Sequence, residues 1–146
     1  MELRVLIHAP RGRDAAVVKD VIQPHHQGQV CNTPAELIAA IREGAGAAVV
    51  TEEALADDAL VKLLNEWLGN QPPWSDFPFI VLASRQAGPR PPAAVQILHG
   101  LGNVILLERP LNAETLLSAA DAAVRARRRQ YVTRQHLDEI LSLIHI

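Results

Sequence analysis

The sequence predicts an alternating α/β domain: a three-layer sandwich with one five-stranded parallel sheet between two layers of helices. Three observations predict it. Five short apolar runs alternate with five segments of helical character. The runs are apolar throughout rather than every second residue, the pattern of strands covered on both faces. The connections are short, so right-handed crossovers lay the strands parallel in one sheet.

RVLIHA (4–9) is a short run ending at Pro10, a buried first strand. GRDAAVVKDVIQ (12–23) places Ala16, Val17, Val21 and Ile22 along one helical face, with Asp14 near its start. Pro24 closes that helix, HHQG (25–28) is a turn, and QVC (29–31) is a second strand. TPAELIAAIREG (33–44) carries the clearest helix signal: Thr33 to cap, Pro34 in the first turn, Glu36 to complete a capping box, Gly44 to terminate.

AAVV (47–50) is the third strand, running into Thr51-Glu52-Glu53. ALADDALVKLLNEWLGN (54–70) is a helix with Leu60, Leu63, Leu64, Trp67 and Leu68 inward. QPPWSDFP (71–78) is a loop and FIVLAS (79–84) a fourth buried strand. RQAGPRPP (85–92) connects to a short helix within AAVQILHGLG (93–102), and NVILLE (103–108) is the fifth strand. Residues 109–130 open with a turn and become a helix capped by Asn112. Five such units make a flavodoxin-like (βα)5 sandwich, whose strand tips gather functional residues along one edge.

Composition narrows the function. The 146 residues fit one domain; 49% are apolar and 21% charged, a globular balance. Aromatics at 3% leave few platforms for stacking bases, and a net charge of −2 gives no global pull toward nucleic acid or anionic lipid. The single Cys31 excludes an internal disulfide and any multi-cysteine zinc site, and reads as a small core residue. No apolar run is long enough to span a membrane or to serve as a signal peptide, so a cytoplasmic location is expected.

The strand tips are His8-Ala9-Pro10, Thr51-Glu52-Glu53, Ala83-Ser84-Arg85 and Glu108-Arg109-Pro110. With LLERPLNAETLL (106–117), they resemble the receiver domain of two-component response regulators over residues 3 to 128. In that family an acidic pair after the first strand holds magnesium, and an aspartate ending the third strand accepts a phosphoryl group. A hydroxyl after the fourth strand and a lysine before a proline complete the pocket. The resemblance carries the acidic pair onto Ala9 and Pro10, the phosphoacceptor onto Thr51, the hydroxyl onto Ala83 with Ser84 beside it, and the lysine onto Arg109. Only Pro110 matches outright, and the Arg109-Pro110 bond is expected to be cis as in receivers.

These substitutions imply a degenerate, pseudo-receiver pocket. Phosphoryl transfer needs a metal to offset developing charge, and Ala9 and Pro10 offer no ligand. No catalytic residue, cofactor or metal site is therefore expected. Glu52, Glu53, Asp57 and Asp58 are expected to favour the following helix N-terminus from solvent. His25 and His26 lie in a turn without helical i, i+4 spacing, and His8, His99 and His136 lack ligand-like partners. The alternative reading of the same edge is a small-anion or nucleotide site built on Arg11, Arg13, Arg85 and Arg109.

Past residue 125 the composition becomes strongly charged, and Arg125, Arg127, Arg128 and Arg129 read as a solvated helix rather than a nucleic-acid surface. The expected division is a receiver-like domain over 1–125, a signalling or coiled-coil linker helix over 126–140, and a tail, LSLIHI (141–146). That tail resembles a translated transposon-end adapter from a sequencing library, so the native protein is expected to continue past about Ile140. The layout up to RARRRQYVTRQHLDE is similar to the N-terminal receiver-like domain of bacterial soluble sensor histidine kinases. That resemblance implies kinase domains downstream in the parent chain, and a protein partner or homodimer contact through the Ala93–Arg128 surface. His136 lacks the sequence context of a phosphorylated histidine. The chain itself is expected not to be an enzyme.

Overall fold

The computed structural model describes residues 1–84 and 88–144. The strands are β1 (Val5–His8), β2 (Gly28–Val30), β3 (Ala47–Thr51), β4 (Phe79–Ala83) and β5 (Val104–Glu108). They form one parallel sheet in the order β2-β1-β3-β4-β5. The helices are α1 (Asp14–Ile22), α2 (Pro34–Glu43), α3 (Asp58–Gly69), α4 (Pro92–Leu101) and α5 (Ala113–Ile144), with a short 3₁₀ turn at Ala54–Ala56 before α3. The expected flavodoxin-like (βα)5 sandwich is the observed one.

Continuous apolar runs supply both faces of the sheet, because successive side chains point to opposite sides. Leu6, Ala48, Val50, Phe79 and Val81 pack with α2, α3 and α4. Val5, Ile7, Val49, Ile80 and Leu82 pack with α1 and α5. Cys31 is buried in the first of these cores, where burial pushes its thiol pKa up. Gly46 leads into β3 under the chain entering β1: a Cβ there would lie 2.6 Å from the Leu3 carbonyl oxygen.

The caps follow from residue type. Thr33 accepts a hydrogen bond from the Glu36 amide, and Glu36 reaches back to the Asn32 amide, one residue beyond the expected capping-box position. Asp57 caps α3 through the Ala59 amide, and Asn112 caps α5 through the amides of Glu114 and Thr115. In α1 the buried face is Val18 and Ile22, while Ala16 and Val17 are exposed. The helix starts at Asp14 and crosses the sheet on the 15–18–22 stripe, which corrects the face expected from the sequence.

α5 is unbroken from Ala113 to Ile144 and crosses both expected boundaries, 125/126 and 140/141, as one helix. The arginine run does not behave as one solvated surface. Arg125, Arg128 and Arg129 are exposed, but Arg127 is 3% exposed. Its guanidinium lies 5.4, 5.1 and 4.7 Å from the ring centres of Trp74, Phe77 and Tyr131. It donates to the Ala45 carbonyl, Ser75 Oγ and Gln130 Oε1. Aromatic faces and neutral acceptors take the place of water around a buried cation. Tyr131 is buried beside it and also donates to Ala45 O, at 3.1 Å. From Gln135 to Ile144 every residue is exposed.

Candidate functional site

The register aligns the strand tips. His8 lies beside Val50, Thr51 beside Leu82, and Ala83 beside Glu108. The carboxyl edge of the sheet thus gathers Ala9, Pro10, Thr51, Ala83, Ser84 and Arg109. Ala9 and Ala83 are buried and Pro10 is exposed; none offers a ligand side chain. The Arg109-Pro110 bond is cis.

Thr51 is 1% exposed, and its hydroxyl accepts from the Ala54 amide at 3.2 Å. It therefore closes the turn into the 3₁₀ segment and is covered from solvent.

Arg109 is the centre of the site. Its fork donates to both oxygens of Glu53, Nη1 to Oε1 at 2.6 Å and Nη2 to Oε2 at 3.2 Å. Nη2 also donates to Asp14 Oδ2 at 3.0 Å. Ser84 Oγ donates to the same Glu53 carboxylate at 3.1 Å. Burial alone would push the Glu53 pKa up, but the bonds from Arg109 and Ser84 outweigh it and hold the carboxyl below its ordinary range. The reciprocal bond to Glu53 raises the Arg109 pKa. Glu52 is paired separately with Arg90, Nε to Oε2 at 3.0 Å.

Two sequence expectations change here. Glu52 and Glu53 do not stand in solvent at a helix N-terminus; their side chains are 16% and 21% exposed and ion-paired. Of that acidic group only Asp57 and Asp58 serve α3 as expected. Of the arginines expected around an anion, Arg11 and Arg13 are exposed on the β1–α1 loop, and Arg109 is committed to carboxylates. Arg85 lies outside the described residues.

Sequence reasoning missed Asp14 and Arg90 as members of this edge. Asp14 was visible only as an acid near a helix start, and its partner lies 95 residues away. It also missed a second convergence, on the α1 and α5 side. His25 Nδ1 is 3.1 Å from both oxygens of Asp121, and His26 Nε2 is 2.6 Å from Asp121 Oδ1.

No protein-family model matches the chain, and no curated protein matches it. Solved structures do. A CheY-like response regulator receiver domain protein from Methanospirillum hungatei superposes with a TM-score of 0.68 at 14% identity, covering 89% of this chain and 99% of that one. A response regulator receiver protein from Pseudoalteromonas atlantica gives a TM-score of 0.60 at 15% identity, covering 84% and 98%. NtrX from Brucella abortus, in complex with ADP, gives 0.67 at 16% identity and 94% coverage; the chain spans 29% of that protein's length. The chain therefore has the receiver-domain fold.

That fold family implies a divalent cation at the carboxyl edge, and the residues present do not fit one. Ala9, Pro10 and Thr51 supply no carboxylate, and of the carboxylates at this edge Glu53 and Asp14 are bridged by the Arg109 guanidinium and Glu52 is paired with Arg90. Among the described residues no helix is long and apolar enough to cross a membrane.

Proposed function

We propose that the chain is a non-phosphorylatable, receiver-like regulatory domain of two-component signal transduction, acting through protein–protein or dimer contacts. The observation that carries this reading is the Arg109 bridge between Glu53 and Asp14. One guanidinium held between two carboxylates leaves the group with an excess negative charge, so an incoming phosphoryl group would meet that charge without a metal to offset it. The Thr51 hydroxyl supports the same reading, since it is 1% exposed and already accepts the Ala54 amide.

The contact surface we assign is the Ala93–Arg128 face. α4 and the edge strand β5 expose Val95 and Leu106 there. Beside α4 a cavity of about 360 Å³ is lined by Glu52 and by apolar side chains that include Leu55, Pro91, Ala94, Ile97 and Leu98. Apolar surface of this kind is a normal feature of docking faces. The parent protein is assigned as a sensor histidine kinase, on the resemblance of the chain's layout through the charged helix after residue 125.

Incubation with acetyl phosphate and magnesium, followed by intact-mass measurement, tests the pocket. The unmodified mass is expected; a phosphoryl adduct at Thr51 or at an aspartate would refute the reading. The uninterrupted gene tests the parent: a frame continuing into dimerisation and ATP-binding domains is expected, and a stop shortly after codon 140 refutes it.

A further inference from the structure

The second convergence of side chains has no part in the pocket described above. His25 and His26 sit in the turn between α1 and β2, and Asp121 sits on α5, 95 or more residues away in sequence. One ligand atom from each of the three residues lies within 4.8 Å of the others, and the imidazole nitrogens facing the carboxylate are His25 Nδ1 and His26 Nε2. We propose that His25, His26 and Asp121 form a binding site for one transition-metal dication of the Zn²⁺ class.

Three arguments carry this. The first is geometric. Ligand atoms about 2.0–2.1 Å from a tetrahedral Zn²⁺ lie about 3.3 Å from one another. The His25–Asp121 separation of 3.1 Å is close to that value, the 2.6 Å His26–Asp121 contact must open by several tenths of an ångström, and the two imidazoles, within 4.8 Å, must close by up to about 1.5 Å. The second is chemical: two imidazole nitrogens and one carboxylate suit Zn²⁺, Co²⁺, Ni²⁺ or Cu²⁺, whereas Mg²⁺ and Ca²⁺ prefer all-oxygen shells.

The third argument is access with partial shielding. The side chains of His25, His26 and Asp121 are 51%, 11% and 32% exposed, so the ion can enter and keep water in its remaining positions. The charged side chains lining the surface beside the group are basic: Arg125 and Arg128 from α5, Lys19 from α1 and Arg4 just ahead of β1. They limit the affinity by repulsion. An imidazole binds metal only when neutral, so binding releases protons and weakens in acid. A bound ion would cross-link the α1–β2 turn to α5 one helical turn before Arg125.

The test uses the 146-residue chain without a polyhistidine tag. Thermal unfolding is followed with ZnCl₂ and with MgCl₂, and Co²⁺ is titrated by visible absorption. One equivalent of Co²⁺ is expected to give ligand-field bands. Zn²⁺ at a hundredfold excess over its Kd is expected to raise Tm by about 5–10 °C, and Mg²⁺ to leave it unchanged. Both effects should vanish in Asp121→Asn and His26→Gln and persist in His99→Gln and His136→Gln. Circular dichroism identifies any variant that fails to fold. Absence of a Zn²⁺ response in the unsubstituted protein overturns the proposal. So does an equal response in folded Asp121→Asn, which places the ion elsewhere. A difference between the unsubstituted protein and Asp121→Asn that depends on pH alone also overturns it, reducing the group to an ion pair.

Discussion

Replacing Arg127 by alanine should be among the most destabilising substitutions in α5. The side chain is 3% exposed, and it faces three aromatic rings and three neutral hydrogen-bond acceptors. Each bond from a charged donor contributes about 1.5–3 kcal/mol, while holding the ion itself out of water costs several kcal/mol. The polar terms therefore nearly cancel. What alanine removes without compensation is the buried stem and the stacking, and the resulting cavity brings the loss to about 3 kcal/mol. Arg127→Met fills most of that volume. It leaves few stranded partners, because Ala45 O keeps the Tyr131 hydroxyl and Ser75 keeps Gln71. Its cost should be about 1 kcal/mol. Urea unfolding followed by far-ultraviolet circular dichroism measures both. In thermal melts the alanine variant should lose about 6–12 °C. A cost below about 0.5 kcal/mol for alanine, or equal costs for alanine and methionine, would refute the assignment of packing as the dominant contribution.

The Arg109–Glu53 pair predicts a pH signature. Glu53 has its pKa depressed in the folded state, so the pair's stabilisation is full above the ordinary value of 4.5 and is lost as pH falls through the folded value. Arg109→Met should cost about 1–2 kcal/mol at pH 7, and the gap from the unsubstituted protein should shrink in denaturant titrations below about pH 4. A gap that stays constant into acid would rule out the carboxylate as its source. Thr51→Val keeps the side-chain shape but leaves the Ala54 amide without its acceptor, so unfolding should become easier by about 1–2 kcal/mol. A neutral result would mean that the hydroxyl does not hold the turn.

The fold was legible because its signals are local. Apolar runs such as FIVLAS, and the Thr33-Pro34-Glu36 start of α2, act within a few residues of themselves, and the structure follows them. The α1 face was misread by one position because DAAVVKDVI offers two apolar stripes, and only packing against β1 and β2 selects Val18 with Ile22. The site was legible as a set of strand tips but not as a bonding pattern. Glu52 and Glu53 look like solvated acids until Arg90 and Arg109 arrive from 38 and 56 residues away. The basic run hid Arg127 for the same reason. Nothing in RARRRQ marks one arginine for burial; the pocket is made by Trp74 and Phe77 on a distant loop.

The lodging of Arg127 and Tyr131 against Ala45 and the 74–77 loop also turns α5 into a lever. The helix is gripped up to Arg134, whose guanidinium lies 5.2 and 4.7 Å from the ring centres of Trp74 and Tyr131, and every residue from Gln135 to Ile144 is exposed. The six residues from Arg134 to Ile140 rise about 9 Å along the axis. A tilt of about 10° at the grip therefore carries Ile140 sideways by about 1.6 Å. The fulcrum is a cation among aromatic rings, which has no rigid bond directions to hold it to one angle. A displacement too small to repack the core could thus reach the far end of the helix several times enlarged.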